Sequence, residues 1–91
     1  MQAKTLIIIP TYDERDNVGP IAAAVHASAP EAHILFVDDN SPDGTGDILD
    51  AMALADNRVF VHHGETKAGL GRAYITGFKW GLERGYEYIF E

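Results

Sequence analysis

The stretch HILFVDDNSPDGTGDILD, residues 33–50, joins a strongly apolar run to a turn that is rich in carboxylates. Residues 32–38 predict a buried strand, because the run is continuous, partly β-branched and followed by turn-forming residues. Asp38 and Asp39 stand at the tip of this strand, whereas Asp43 and Asp47 fall where a helix begins near Gly44. The stretch therefore predicts a strand, a loop with two carboxylates, and a helix.

The same alternation of strand and helix patterns extends over the whole chain. Residues 5–10 predict a strand that ends at Pro10, and residues 58–63 and 86–91 predict two more. Asn17 or Asp16 can cap the first helix. Three apolar stripes at helical spacing lie between the strands: Val18, Ile21, Ala22 and Val25; then Ile48, Ala51, Met52 and Ala55; then Leu70, Ala73, Tyr74, Gly77, Phe78, Gly81 and Leu82.

This order predicts an α/β fold, a Rossmann-like parallel sheet in the order βαβαβαβ, with residues 1–91 as one unit. In such open sheets ligands bind at the carboxyl ends of the strands. The segments that reach this edge are PTYDER, DDNSPDG and HHGETKAGLG. We therefore expect the functional residues in these loops.

Composition excludes several classes of function. The 91 residues carry seven basic and 14 acidic side chains, a formal net charge of −7, which argues against nucleic acid as a partner. The chain has no cysteine, so it forms neither disulfides nor a cysteine zinc site. An anionic ligand would need backbone amides, a few placed cations or a metal ion.

The acidic stretch has several interpretations. A calcium loop from Asp39 to Asp50 has suitable spacing, but Pro42 interrupts it and a strand-like run precedes it. A phosphorelay receiver would also end a strand in paired aspartates, but the third strand here ends in VHHG. Asp43 and Asp47 suit a helix start, and either Asp38 or Asp39 could accept two N–H groups of a uracil or guanine base.

A glycine-rich segment, KAGLGRAY, opens the third helix. Gly69 and Gly71 could cradle a phosphate at the helix start, with Lys67 and Arg72 as counter-charges. Close packing of the helix is the alternative use of these glycines. We assign no role to His62 and His63.

Three segments together carry a family resemblance: LIIIPTYDERDNV, ILFVDDNSPDGTGD and KAGLGRAYITGFKWGLERGYEYIFE. They resemble the N-terminal half of a family 2 glycosyltransferase, in particular the dolichol-phosphate or polyprenol-phosphate mannosyltransferases. The motifs SPDGT and KAGLGRAY point to the mannosyl-lipid type. Asp13 departs from the family, which more commonly has Asn at this position.

The resemblance implies the N-terminal half of a GT-A fold, with GDP-mannose across the carboxyl edge of the sheet. It implies substrate-binding roles for five residues, with no catalytic and no metal-binding residue within the chain. Pro10, Glu14 and Tyr12 could instead have ordinary structural uses, in ending a strand, capping a helix or packing. The five implied substrate-binding residues are Pro10, Tyr12, Glu14, Val37 and Asp39.

The implied reaction is inverting transfer of mannose to a dolichyl or polyprenyl phosphate, at the cytoplasmic, inner face of a membrane. The divalent metal, Mg or Mn, would be held by a D-x-D motif that we expect directly after residue 91. The chain alone is then inactive, and its exposed sheet edge invites self-association. The alternatives are a UDP-glucose-dependent lipid-phosphate glucosyltransferase and a non-enzymatic receiver-like nucleotide-binding domain.

Overall fold

The computed structural model of the protein describes residues 4–64 and 70–91. Seven elements alternate along the chain, which confirms the predicted βαβαβαβ order. They are β1 (Thr5–Thr11), α1 (Val18–Ser28), β2 (His33–Asp38), α2 (Thr45–Ala55), β3 (Val59–His63), α3 (Leu70–Glu83) and β4 (Tyr88–Phe90).

The strands form one parallel sheet in the order β3-β2-β1-β4. The chain runs outward from β1 to β3, and α3 then carries it back across the sheet to β4 on the other side of β1. The strand order therefore reverses at β1, and the crevice at the carboxyl ends of the strands beside such a reversal is the usual ligand position in open sheets.

Strand β1 continues one residue past Pro10, so the prediction that this proline ends the strand is wrong. Pro10 is in register with Val37, and Thr11 with Asp38. The proline is tolerated because β4 pairs only with Thr5–Ile7, which leaves the other side of β1 without a ladder partner at residue 10.

The last strand is shorter than residues 86–91 predict. A left-handed turn at Gly85, with φ of 80°, directs Tyr86 into the core. The backbone N–H groups of Glu87 and Tyr88 then donate to the carbonyl of Lys4, and the ladder begins at Tyr88. Tyr86 therefore packs as a core side chain instead of pairing in the sheet.

Alternation along the strands divides the core into two faces. On one face, helices α1 and α2 cover Ile34, Phe36 and Val59. On the other, α3 covers Leu6, Ile8, Leu35 and Val37. We call these the α1–α2 face and the α3 face.

Two helices bury different residues from those that the spacing predicts. In α2, Leu49 is fully buried, whereas Ala51 and Ala55 of the predicted stripe are exposed. In α3, Leu82 is 68% exposed. The predicted α1 stripe, by contrast, packs entirely against the α1–α2 face.

Helix α3 lies unusually close to the sheet because of two glycines. A Cβ atom at Gly77 would lie 2.6 Å from Cγ2 of Ile8, and one at Gly81 would lie 2.9 Å from Leu6 and Ile89. Carbon atoms do not approach so closely without displacement. Glycines at helical spacing on an apolar stripe predict such a close approach to the sheet, and the contacts at Gly77 and Gly81 confirm it.

We predict that Gly77→Ala destabilises the chain by about 1–3 kcal/mol, because overpacking outweighs the roughly 1 kcal/mol by which alanine favours a helix. The measurement is urea unfolding followed by circular dichroism. Gly71→Ala is the matched control in the same helix, since a Cβ there meets nothing within 4 Å. Equal stabilities of the two variants would contradict the close contact.

At the amino edge of the sheet, His33 packs among aromatic side chains. Its ring lies 5.3 Å from Phe60 and 5.7 Å from Tyr86, and its Nδ1 is 2.6 Å from the Tyr86 hydroxyl. Burial, followed by the charges of His26 and Arg58, lowers the pKa of His33 below its ordinary value of 6.5. The folded state therefore favours the neutral imidazole.

We predict that this histidine makes stability fall as the pH falls through and below 6.5, because the unfolded chain then binds more protons than the folded chain. The free energy of unfolding should decline from pH 7.5 to 5.5 more steeply in the wild type than in His33→Gln. Urea titrations at both pH values give this comparison, and equal slopes would exclude the effect.

Candidate functional site

Two neighbouring loops meet at the carboxyl edge of the sheet. The first loop, residues 12–17, follows β1, and the second loop, residues 39–44, follows β2. They are adjacent because β1 and β2 pair through Thr11 and Asp38, and the N–H of Asp39 donates to the carbonyl of Thr11 at 3.0 Å. This is the edge at which the sequence predicts the functional residues.

The carboxylate of Asp38 lies at the centre of this edge and is only 1% exposed. Oδ1 accepts the hydroxyl of Thr11 at 2.8 Å and the hydroxyl of Ser41 at 2.6 Å. Oδ2 accepts the N–H of Ser41 at 3.0 Å. Asp38 therefore binds the end of β1 and the second loop at the same time.

Three consecutive backbone amides of the first loop donate to side chains that follow β2. The N–H of Asp13 donates to the Ser41 hydroxyl at 3.0 Å, and the N–H of Glu14 to the Thr45 hydroxyl at 3.1 Å. The N–H of Arg15 approaches a carboxylate oxygen of Asp43 at 3.4 Å. The two loops are thus held together residue by residue.

The start of α2 depends on Asp43, as the sequence predicts. Its Oδ1 accepts both the N–H of Thr45, at 3.0 Å, and the Thr45 hydroxyl. The hydrogen bond from that hydroxyl is the main cause that lowers the pKa of Asp43. Asp47 lies in the first turn, where a carboxylate opposes the positive end of the helix.

Asp38 and Asp39 point in different directions. A Cβ built on Gly46 of α2 would lie 3.6 Å from Oδ2 of Asp38, whereas one built on Gly64 would lie 3.3 Å from Oδ1 of Asp39. Asp38 therefore faces α2, and Asp39 faces the end of β3. That only one of the pair reads a ligand stays a prediction.

The structure brings four of the five predicted substrate-binding residues to neighbouring positions. Pro10 and Val37 are register partners, and alternation places both on the α3 face. Half-buried Tyr12 follows β1, and half-buried Asp39 follows β2. Their roles in binding remain a prediction.

Glu14, the fifth predicted residue, is held at the start of α1. Its carboxylate accepts the side-chain amide of Asn17 at 2.9 Å, and its carbonyl accepts the N–H groups of Asn17 and Val18. Asn17 occupies the N-cap position but makes no side-chain cap bond. The predicted capping role of Asn17 is therefore wrong, because its side chain binds Glu14 instead.

The described residues do not form a metal site. Among residues 4–64 and 70–91, no three His, Asp or Glu side chains are grouped to hold an ion. The calcium interpretation also fails on its context, because β2 precedes the loop and α2 begins inside it. The receiver interpretation needs a third strand that ends in an aspartate, whereas β3 ends in His62 and His63.

Half of the predicted phosphate cradle lies outside the described residues, which include neither Lys67 nor Gly69. Gly71 and Arg72 are described, and both are exposed at the start of α3. Their role in phosphate binding stays a prediction.

Sequence reasoning missed the residues that organise the site. Thr11 donates to Asp38 on the neighbouring strand, and the hydroxyls of Ser41 and Thr45 accept N–H groups of the first loop. None of these three residues was predicted to do so. The spacing D-x-x-S, from Asp38 to Ser41, was the available signal, because Asp side chains commonly bond backbone groups a few residues ahead. His63 also acquires a partner, with Nε2 2.7 Å from Oδ1 of Asp50.

Comparison with known proteins gives consistent results. The family model described as Glycosyl transferase family 2 matches residues 6–89. Polyprenol monophosphomannose synthase of Mycolicibacterium smegmatis is 57% identical over 97% of the chain and 34% of its own length. Undecaprenyl-phosphate mannosyltransferase of Micrococcus luteus is 50% identical over 97% of the chain and 36% of its length. The chain thus spans about a third of these relatives.

A more distant relative and a solved structure extend the likeness. Dolichol-phosphate mannosyltransferase of Saccharomyces cerevisiae is 31% identical over 86% of the chain and 31% of its own length. A mannosyltransferase of Pyrobaculum calidifontis, solved with GDP-Man and Mn2+, superimposes with a TM-score of 0.74. That match covers 88% of this chain and 25% of the other chain at 18% sequence identity, so it is evidence for the fold alone. The predicted Rossmann-like half of a GT-A fold is confirmed.

Proposed function

The chain belongs to glycosyltransferase family 2, and we propose that the protein moves mannose from GDP-mannose to a polyprenyl or dolichyl phosphate. The observation that carries this proposal is the identity with polyprenol monophosphomannose synthase along nearly the whole chain. Two further relatives are named for mannosyl transfer to undecaprenyl and dolichol phosphates.

The chain's contribution in this proposal is part of the nucleotide pocket. Asp39 at the tip of β2 accepts the N–H groups of guanine, while Pro10 and Val37 form the adjacent wall on the α3 face. Tyr12 and Glu14 line the pocket from the first loop. A carboxylate suits this task because a guanine edge presents two donors side by side and a carboxylate offers only acceptors.

In the proposed reaction, an oxygen of the lipid phosphate attacks the anomeric carbon of mannose from the face opposite GDP. The new bond joins that oxygen to the carbon, while the bond from the carbon to the diphosphate breaks and GDP leaves with the electron pair. The configuration is thereby inverted. The attacking oxygen is already anionic near neutral pH, so the step needs no strong general base.

A divalent metal ion would stabilise the charge that develops on the departing diphosphate. The described residues do not hold such an ion, so we place its ligands outside them. For the same reason we propose that residues 1–91 alone bind nucleotide and transfer little or no mannose.

The lipid acceptor would bring the protein to the cytoplasmic face of a membrane. In the described part of the chain, the helices are all too short or too polar to cross a bilayer. The membrane contact that we propose is made through the acceptor phosphate at the surface.

We predict that the chain prefers GDP to UDP and to inosine diphosphate, which lacks the 2-amino group of guanine. Asp39→Asn should weaken GDP binding about tenfold or more, because the amide replaces one acceptor with a donor. It should weaken inosine diphosphate binding less. Calorimetric titration of each nucleotide measures the dissociation constants.

Asp16→Asn is the matched control, since it removes an acid from the first loop whose side chain is 94% exposed. It should leave all three affinities unchanged. A chain that binds magnesium and acetyl phosphate but ignores GDP and UDP would refute the proposed nucleotide site. Mannose transfer by the purified chain at a rate typical of complete family members would refute the proposed inactivity.

We also propose that the chain self-associates through β4. This strand lies at one edge of the sheet, and both Tyr88 and Phe90 are 55% exposed. Unpaired strand edges with apolar side chains favour pairing with another chain.

We predict an average mass that rises with concentration in sedimentation equilibrium. Phe90→Lys should shift the chain toward monomer, because a charged edge residue opposes strand pairing. Leu54→Lys, a substitution at a 90% exposed leucine of α2, should leave association unchanged. A wild type that stays monomeric at every concentration would contradict this prediction.

A further inference from the structure

A buried carboxylate, that of Asp38, lies beside the proposed base-reading residue. Asp38 is 1% exposed, and among the described residues no cation lies within ion-pair distance of it. Its hydrogen bonds come from neutral donors, the Thr11 hydroxyl and two groups of Ser41. A buried charge held in this way is costly, which makes it a poor device for stability alone.

The hydrogen bonds of Asp38 fix the backbone on both sides of Asp39. Before Asp39, Asp38 is tied to Thr11, and the N–H of Asp39 itself donates to the Thr11 carbonyl. After it, Ser41 is tied back to Asp38, with Asn40 between them in the left-handed region at φ of 59°. The turn that carries Asp39 is thus closed by the side chain of Asp38.

The same network reaches the first loop. Ser41 donates its hydroxyl to Asp38 and accepts the N–H of Asp13, which is also left-handed, with φ of 54°. A non-glycine residue adopts such a conformation only where its surroundings hold it there. Thr11, Asp38, Ser41 and Asp13 therefore form one hydrogen-bonded path between the two halves of the proposed pocket.

We propose that Asp38 is the positioning residue for guanine recognition: it directs Asp39 away from α2, toward the end of β3, and holds the two loops in register. This inference rests on the nucleotide site proposed above. Asp38 itself faces α2 and is 1% exposed, so in this proposal it acts only through Asp39 and the first loop.

The test is Asp38→Asn, which keeps the shape but places an amide donor against the donors of Ser41. We expect GDP affinity to fall about tenfold, as for the loss of one charge-assisted hydrogen bond, with a smaller loss for inosine diphosphate. The ratio of the two affinities should therefore move toward one. Circular dichroism and urea unfolding establish that the titrated variant is folded.

Three further variants make the result decisive. Asp47→Asn removes a carboxylate from the exposed first turn of α2 and should keep the wild-type ratio. Thr11→Val removes one hydrogen bond and should lower the ratio even if Asp38→Asn does not fold. In the Asp38→Asn, Asp39→Asn double variant, the ratio should equal that of Asp39→Asn alone.

The outcomes separate this inference from the proposed function. If Asp39→Asn lowers the ratio but Asp38→Asn and Thr11→Val leave it unchanged, the positioning role is overturned and the nucleotide site stands. Equal loss of both affinities in Asp38→Asn also overturns the role, since it would indicate general destabilisation. A wild type without preference for GDP over inosine diphosphate overturns the proposed guanine recognition itself.

Discussion

The buried carboxylate of Asp38 is the constraint on which the carboxyl edge of the sheet depends. Three hydrogen bonds from Thr11 and Ser41 satisfy it: one joins β1 to β2, and two join the second loop back to the end of β2. Because an unsatisfied buried charge is strongly unfavourable, β1, β2 and the second loop must keep the arrangement that supplies these donors. The positions of Asp39 and of the first loop follow from it.

The arrangement of the sheet explains why this edge suits a ligand. β1 is an inner strand where the chain reverses direction across the sheet, so the loops after β1 and β2 project beside the reversal point. Gly77 and Gly81 let α3 approach closely behind these strands. Helix α3 therefore packs directly against the strands that carry Pro10 and Val37, which would form the wall of the proposed pocket.

The charge of the chain limits how it can bind a nucleotide sugar. With a net charge of −7, it would repel a diphosphate at long range. Recognition of guanine by a carboxylate is compatible with this charge, because the base is neutral and presents donors. Neutralisation of the diphosphate is assigned in our proposal to a metal ion held outside the described residues.

The sequence by itself determined the element order, the parallel sheet, the helix start near Gly44 and the edge that carries the site. These follow from local patterns: apolar runs make strands, apolar stripes make helices, and turn residues separate them. The close packing of α3 at Gly77 and Gly81 was also predictable, since glycines at helical spacing on a buried stripe indicate that a helix approaches the sheet closely. The family motifs added the five predicted binding residues, which local patterns alone could not distinguish from structural ones.

Only the tertiary structure decided which carboxylate of the Asp38–Asp39 pair is buried, where β1 ends, and which groups the loop side chains bond. Asp38 and Asp39 are adjacent residues of the same type, so the sequence does not distinguish them. The register of β1 with β2 places Thr11 beside Asp38, and Asp38 is therefore the buried one. Leu49 enters the core in place of Ala51 because α2 meets the sheet at an orientation that its own spacing does not specify. Such outcomes depend on contacts between residues far apart in the chain, and no local pattern encodes them.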